Sequence, residues 1–280
     1  MSKMHTSIQK GIDKSRGVDS GTAKTRHNKR SSDIGQRGSA VASNIFRMFQ
    51  PARPDPEIMK KYQIVSALDD AAASSAYSLL RTRVLKRMRS NNWHSLLVTS
   101  PGPAEGKTIT AANLAISLSR DVNQSVLLVD LDLHRSTVAK YLGFDIDVEA
   151  GVSDFLRENA EIPDIVYVPT EMDRIGIIPN REPIENASDL LGSPRMRELL
   201  AWLKNQAEQT IVIFDMPPVL VCDDVLVVCS EIDAVLMVVS QGVTDRIGLG
   251  KAMDLLQDTD ILGVVLNQSA EEGRNDAYLY

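Results

Sequence analysis

The 280-residue sequence has few cysteines and no long apolar run, and each shortage excludes a class of protein. Cys222 and Cys229 are too few for a disulfide framework, and their spacing fits no common metal-binding pair. We therefore expect a reducing compartment and ordinary buried thiols. Apolar runs such as SVLLVDL fall well short of the ~20 residues that cross a membrane, and no apolar core of a secretory signal follows the basic N-terminus. These absences predict a cytoplasmic protein.

Residues 1–50 differ from the rest of the chain in charge. They contain ten Lys and Arg against three Asp, a net charge of +7, whereas the remainder carries −13. The first 40 residues have no aromatic side chain, so they cannot bury enough surface to offset the entropy of ordering. We expect a disordered basic tail over 1–50, which either visits an anionic membrane surface or stays solvated without a partner. The prolines of PARPDP then predict an extended linker and helix lead-in over 51–70.

Beyond residue 70, short apolar runs alternate with helical stretches. Strands are predicted at 95–99, 125–130, 174–178, 210–215, 233–239 and 261–266, and helices at 71–89, 107–120, 135–142, 193–207 and 244–257. Strands that are apolar without alternation, separated by amphipathic helices, indicate a parallel sheet covered on both faces. We expect an α/β domain over 71–268 and a flexible tail over 269–280.

The segment TSPGPAEGKT, residues 99–108, nearly matches the phosphate-binding pattern G-x-x-x-x-G-K-[ST], with Pro101 in place of the first glycine. It follows a predicted strand and opens a helix, where backbone N–H groups and the helix dipole favour an anion. Lys107 would reach the β- and γ-phosphates and the Thr108 hydroxyl would hold Mg²⁺. A plain strand–turn–helix with a solvent-facing Lys107 is the alternative. The predicted nucleotide-binding residues in this loop are Gly102, Pro103, Ala104, Glu105, Gly106, Lys107, Thr108 and Ile109.

Three carboxylates follow two other predicted strands. In SVLLVDLDLHR (125–135) the predicted strand ends at Asp130, and Asp132 follows two residues later. In TIVIFDMPP (210–218) the predicted strand ends at Asp215. In open parallel sheets ligands bind at the carboxyl ends of the strands. Carboxylates beside a nucleotide suit a hard cation and a base for an incoming hydroxyl, although solvated strand ends would look the same. The predicted magnesium ligands are Thr108, Asp130, Asp132 and Asp215.

The segments SPGPAEGKTITAANLA, VLLVDLDLHR and IVIFDMPPVLVCDD, in this order, resemble the bacterial tyrosine kinases of capsule and exopolysaccharide synthesis. Those are P-loop proteins related to division-site and chromosome-partitioning ATPases. GVSDFL (151–156), ASDLLGSPRMRELL (187–200) and ILGVVLNQ (261–268) extend the resemblance from about Ser75 to Gln268. The resemblance implies a P-loop sheet with helices on both faces and ATP and Mg²⁺ as cofactors. The residues it implies are Lys107, Asp130, Asp132 and Asp215 for catalysis, Asn267 for adenine, and Tyr278 and Tyr280 as phosphoacceptors.

The resemblance also implies a function. The chain would be an autokinase of polysaccharide synthesis or export that transfers the γ-phosphoryl group to tail tyrosines of another copy, with Asp130 or Asp132 accepting the tyrosine proton. It implies a membrane-embedded co-polymerase as activating partner, self-association, and a peripheral position at the inner face of the membrane; no nucleic acid is expected. Two alternatives stay open. One is a switch-type ATPase, whose usual loop has Lys where Gly102 stands here, and the other is an inactive nucleotide-binding regulator.

This chain departs from the family pattern at a few positions. His134 replaces the Arg of D-x-D-x-R, with Arg135 next to it. The ring-forming E-x-x-R-x-x-R pattern aligns with Ser75, Ser78 and Arg81, which argues against the ring. Ala104 stands where Gly is common, and it is strained if its φ is positive. For Asn267, capping of a buried turn is the alternative to an adenine contact.

Overall fold

The structure, a computed structural model, describes residue 46 and residues 49–68, 71–206 and 210–269. The candidate phosphoacceptors Tyr278 and Tyr280, the predicted C-terminal tail from residue 270 and most of the predicted basic tail lie outside these residues.

The described residues form an eight-stranded sheet with the strand order β1-β4-β5-β3-β6-β2-β7-β8. All neighbouring strands are parallel except β4 and β5, which run antiparallel. The predicted α/β fold with a mostly parallel sheet is confirmed. The strands are β1 Gln50–Ala52, β2 Ser95–Thr99, β3 Ser125–Asp130, β4 Tyr167–Pro169, β5 Ile175–Ile178, β6 Thr210–Asp215, β7 Ala234–Ser240 and β8 Ile261–Asn267.

Helices cover both faces of this sheet. They are α1 Pro56–Lys61, α2 Ala71–Asn91, α3 Lys107–Ser119, α4 Val138–Leu142, α5 Val152–Leu156, α6 Ile162–Ile165, α7 Ala187–Leu191, α8 Pro194–Asn205, α9 Asp224–Val228 and α10 Arg246–Leu255. The helix predicted at 135–142 begins only at Val138. The preceding residues form a turn, because the backbone N–H groups of Thr137 and Val138 donate to the carboxylate of Asp130 at the end of β3. The short strands β1 and β4 lacked the length of a strand signal and were not predicted.

The four central strands β3, β6, β2 and β7 are buried along their whole length, apart from the half-exposed Ser95. One core cluster packs α2, α3 and α4 against the first face, with Leu114 and Phe144 fully buried. A second cluster packs α5, α8 and α10 against the other face, with Phe155 and Leu199 fully buried. Burial on both faces explains why these strands read as unbroken apolar runs.

The linker predicted over 51–70 is wrong, because this segment packs into the domain. Ala52, Met59 and Ile64 are buried in the core of the first face. Asn113 of α3 fixes the end of the segment: its amide donates to the Gln63 carbonyl (2.9 Å), and its oxygen accepts from the backbone N–H of Ser66 (2.8 Å). The prolines of this segment predict an extended chain, but Pro56 occupies the first turn of α1, where a missing N–H is tolerated. A proline at this position is therefore compatible with a helix.

The domain also begins earlier than predicted. Phe46 is buried, and Phe49 makes an edge-to-face contact with Trp202 of α8, with ring centroids 6.2 Å apart. The last residues of the predicted tail therefore belong to the folded domain.

Helix α2 carries the predicted apolar stripe, with Val84, Leu85 and Met88 buried and Leu80 partly buried. Arg81, the one charged residue left from the assembly pattern, donates to the Ser117 carbonyl of α3 at 2.9 Å. Its guanidinium thus holds two helices of the same chain together. Among the described residues, no helix combines the length and apolar character needed to span a bilayer.

Candidate active site

A cavity of about 600 Å³ opens at the carboxyl ends of the central strands. It lies where parallel α/β sheets bind their ligands. The cavity is lined by most of the candidate residues of the loops after β2 and β3. Residues of the loop after β6 complete the lining. The lining residues are Pro103, Ala104, Gly106, Lys107, Thr108, Ile109, Asp132, His134, Arg135, Thr137, Tyr141, Pro217, Pro218, Val221, Cys222 and Gln268.

The loop before α3 has the backbone conformation of a phosphate cradle. Gly106 adopts φ +89°, and a Cβ there would lie 1.9 Å from the Asn267 side-chain nitrogen, so glycine is required. No side chain caps α3, which leaves its first N–H groups directed at the cavity mouth without an intrahelical acceptor. Ala104 has φ +62°, the strained outcome for a residue with a Cβ. The loop keeps its shape at a conformational cost.

A network of hydrogen bonds holds this loop from behind. The buried Glu105 carboxylate accepts from the Gly102 backbone N–H (3.0 Å) and from the Thr244 hydroxyl. The Asn267 amide donates to the Glu105 carbonyl at 3.0 Å, and Gln268 donates to the Ala104 carbonyl at 3.2 Å. Glu105 and Gly102, predicted as nucleotide contacts, thus contact each other inside the loop. Asn267 caps the turn, and its contact with adenine stays a prediction.

Lys107 connects the loop to the carboxylates. Its Nζ lies 2.5 Å from Asp132 Oδ2 and 3.9 Å from Asp215 Oδ1. Burial lowers the pKa of Lys107, but Asp215 and Asp132 together outweigh it, so the net pKa is raised and the amine is charged. The side chain therefore reaches across the cavity as a fixed cation, where a phosphate would compete with Asp132 for it.

Asp130 is buried and hydrogen-bonded to the chain that follows it. Its Oδ2 accepts from the backbone N–H groups of Thr137 (3.2 Å) and Val138 (3.1 Å) and from the Ser136 hydroxyl (3.3 Å). Its Oδ1 accepts from the backbone N–H of Asp132 at 3.2 Å. Burial, and then the charge of Asp215, raise the pKa of Asp130 well above its ordinary value. These bonds commit Asp130 to shaping the turn, and Asp130 does not line the cavity.

Asp215 does not line the cavity either, but it differs from Asp130 in its contacts: both carboxylate oxygens are buried and accept no hydrogen bond from the described residues, and the Lys107 ammonium lies 3.9 Å from Oδ1. Burial raises its pKa to about 6, against the lowering effect of Lys107. A buried carboxylate without donors is costly unless a cation compensates it. Asp215 and the Thr108 hydroxyl at the start of α3 offer the oxygen ligands that Mg²⁺ prefers, so these residues fit the predicted ion.

A second cluster lies at the rim of the same cavity. His134 Nε2 is 3.0 Å from Asp224 Oδ2, and the Cys222 thiol is close to both. Burial, and then the charge of Asp224, raise the pKa of the Cys222 thiol to about 11. His134, at the position where D-x-D-x-R has Arg, thus contacts a buried carboxylate, while Arg135 is exposed at the edge of the cavity.

The sequence reasoning missed the residues that support the loop from other strands, Thr244 after β7 and Gln268 after β8. Both follow the carboxyl ends of predicted strands, and all such ends converge on one edge of a parallel sheet. The same rule that indicates the aspartates would have indicated these polar residues. Tyr141, which stacks on Tyr62 with centroids 4.4 Å apart, was missed because α1 was read as a linker.

The parallel sheet, the uncapped helix after a glycine turn and the Lys107–carboxylate group define a P-loop nucleotide-binding protein. The family comparison agrees: residues 103–259 match the AAA domain family AAA_31, and the chain belongs to this family.

Individual relatives are similar over most of the domain. The tyrosine-protein kinase YwqD of Bacillus subtilis is 27% identical over 233 residues, which cover 82% of this chain and 88% of YwqD. The tyrosine-protein kinase wzc of Salmonella typhimurium is 31% identical over 197 residues, 70% of this chain but only 27% of wzc. The solved kinase domain of the Escherichia coli tyrosine kinase ETK superimposes with a TM-score of 0.64 at 27% identity, covering 78% of this chain and 84% of that domain.

Proposed function

We propose that this chain is an ATP-dependent protein-tyrosine autokinase of capsular or exopolysaccharide synthesis and export. The observation that carries the proposal is Lys107, whose ammonium lies between Asp132 and an Asp215 carboxylate that accepts no hydrogen bond from the described residues, at the start of the helix that follows the Gly106 turn. The similarity to YwqD, wzc and the ETK kinase domain, each named a tyrosine kinase, supports the choice among P-loop activities.

ATP is the proposed phosphoryl donor, with its phosphates on the N–H groups that open α3 and its γ-phosphate beside Lys107. Mg²⁺ held by Thr108 and Asp215, with Asp132 nearby, would neutralise charge on the phosphates. Such catalysis consists mainly of positioning and electrostatic stabilisation. The Lys107 ammonium, already placed at the cavity, would supply positive charge to the transferring group.

Asp132 is the proposed base, because it lines the cavity and, among the described residues, its Oδ2 contacts only the Lys107 ammonium. Its Oδ1 accepts from the backbone N–H of Arg135, whereas both oxygens of Asp130 accept from the backbone of the turn. Asp132 takes the proton from a tyrosine hydroxyl as its oxygen attacks the γ-phosphorus. The bond from that phosphorus to the bridging oxygen breaks, and ADP leaves. For this step Lys107 exchanges its contact with Asp132 for a contact with phosphate.

Tyr278 and Tyr280 are the proposed acceptors, presented by one copy of the chain to another. A membrane-embedded polysaccharide co-polymerase is the proposed activator, and the +7 charge of residues 1–50 would favour an anionic membrane surface. The kinase would then act at the inner face of the membrane.

The test is phosphotyrosine mapping after incubation of the full chain with Mg-ATP, alone and with the co-polymerase. To test transfer between copies, a tagged Lys107→Met chain serves as acceptor for a chain carrying Tyr278→Phe and Tyr280→Phe. We expect phosphate on Tyr278 or Tyr280 of the Lys107→Met chain. No phosphotyrosine under either condition contradicts the proposal. Steady ATP hydrolysis without phosphotyrosine would favour the switch-type ATPase, and nucleotide binding without turnover the inactive regulator.

A further inference from the structure

Three side chains of different metal-binding types meet beside the cavity, outside the candidate magnesium ligands. They are His134 from the loop after β3, Cys222 from the loop after β6, and Asp224, the first residue of α9. One ligand atom from each lies within 4.8 Å of the other two. Residues 88 positions apart in the sequence are thus brought to one point by neighbouring parallel strands.

Among the described residues, the imidazole of His134 is the one ion-pair partner within 4 Å of Asp224, and it carries positive charge only when protonated. Asp224 Oδ2 is buried and accepts no hydrogen bond from the described residues, although His134 Nε2 lies 3.0 Å away. A buried carboxylate oxygen without a donor is costly. A metal ion shared with the imidazole and the thiolate would satisfy it: bonds of about 2.0 to 2.3 Å to a tetrahedral ion place its ligands roughly 3 to 4 Å apart, and the three ligand atoms lie within 4.8 Å of one another.

We propose that His134, Cys222 and Asp224 bind a borderline divalent cation of the Zn²⁺ class, separate from the Mg²⁺ beside Lys107. Imidazole nitrogen and thiolate sulfur select such ions, whereas Mg²⁺ prefers oxygen ligands throughout. Coordination replaces the S–H bond of Cys222 with a bond to the metal, and the proton leaves to solvent. The half-exposed His134 and the open cavity leave a fourth position for water or another ligand.

The ion would tie together the two loops that carry the catalytic candidates. His134 follows Asp132 by two residues, and Cys222 lies in the loop that follows Asp215 at the end of β6. A ligand that binds the folded state and not the unfolded chain stabilises the fold in proportion to its saturation. The site depends only on these three side chains and does not require that the chain be a kinase.

The test is Co²⁺ titration of the reduced full chain, because Co²⁺ bound to a thiolate gives an intense charge-transfer band that other ligands do not give. We expect the band in the native chain, its displacement by Zn²⁺, and its persistence in excess Mg²⁺. Cys222→Ser abolishes it, and His134→Ala weakens Co²⁺ binding at least 10-fold. His134→Arg also abolishes the band, because a guanidinium does not bind the metal. If His134 served only as the cation of an ion pair with Asp224, Arg would replace it and the band would not depend on this residue.

Cys229→Ser is the matched control, because Cys229 lies outside the cluster and its thiol donates to the Leu226 carbonyl. The control keeps the band. Thermal melting of each variant without metal checks its folding, and Zn²⁺ should raise the melting temperature of the native chain and of Cys229→Ser only. A native chain without the band, or a band that survives Cys222→Ser, overturns the proposal.

Discussion

The two sides of the nucleotide cavity are built differently. On the loop side, Glu105, Asn267 and Gln268 satisfy one another and the backbone of residues 102–105. On the strand-end side, Asp215 has two buried oxygens that accept no hydrogen bond from the part of the chain that the structure describes, and Lys107 is shared between Asp132 and Asp215. A satisfied network fixes shape, and we infer that the carboxylate without hydrogen bonds is there to bind a ligand. The difference separates the scaffold of this site from its binding surface.

Exchange of Asp132 for Asn tests the binding side most strongly. Asp132→Asn removes the proposed base and leaves the fold in place, so the rate of autophosphorylation should fall about 100-fold or more. Quantitative phosphotyrosine labelling measures the rate, and urea unfolding checks the fold. Labelling within a few-fold of the native chain would remove Asp132 from the chemistry.

Asp215→Asn tests whether the unpaired carboxylate burdens the metal-free fold. Its pKa rises from 3.8 to about 6 on burial, so between these values the folded chain holds a proton that the unfolded chain has released. The free energy of unfolding should therefore fall by roughly 2 to 3 kcal/mol as the pH rises from about 4 to about 6. In Asp215→Asn the free energy of unfolding should not show this decrease, because the titrating carboxyl group is absent. Parallel curves from urea unfolding without divalent metal would contradict the expectation.

Asp130→Asn probes a carboxylate on the scaffold side. In the variant, the side-chain NH2 group of Asn would face backbone N–H groups, so two donors would meet and a hydrogen bond would be lost. We therefore expect a loss of about 1 to 3 kcal/mol in the free energy of unfolding. Because Asp130 only shapes the turn, labelling by the folded fraction should change less than in Asp132→Asn. A variant as stable as the native chain would show that the bonds to Thr137 and Val138 carry little energy.

Ala104→Gly gives the smallest effect. Relief of the positive φ contributes ~1 to 2 kcal/mol, while the greater freedom of unfolded Gly opposes it by ~0.5 to 1 kcal/mol. We expect a gain of up to about 1 kcal/mol in urea unfolding. Ala160, a loop residue without positive φ, is the matched control, and Ala160→Gly should lower stability. Equal losses at both positions would mean that Ala104 is not strained.

The sequence was sufficient for the sheet and for the loop before α3, most of whose residues line the cavity. Central strands buried on both faces are unbroken apolar runs, and a glycine before Lys107 marks the phosphate loop. It was not sufficient for β1 and α1, because short elements held by tertiary packing carry little local signal. The roles of Asp130 and Asp215 also could not be separated, since both end apolar strands. Only the chain after Asp130, which turns back to donate to its carboxylate, distinguishes them.

The most direct test of this account is the effect of Mg²⁺ on ATP affinity, measured by calorimetry in the native chain and in Asp215→Asn. If the unpaired carboxylate is kept for the metal of a bound nucleotide, Mg²⁺ tightens ATP binding by the native chain, and the variant loses most of this gain while still binding ATP. An equal gain in both proteins would contradict the assignment of Asp215 to the binding side of the site.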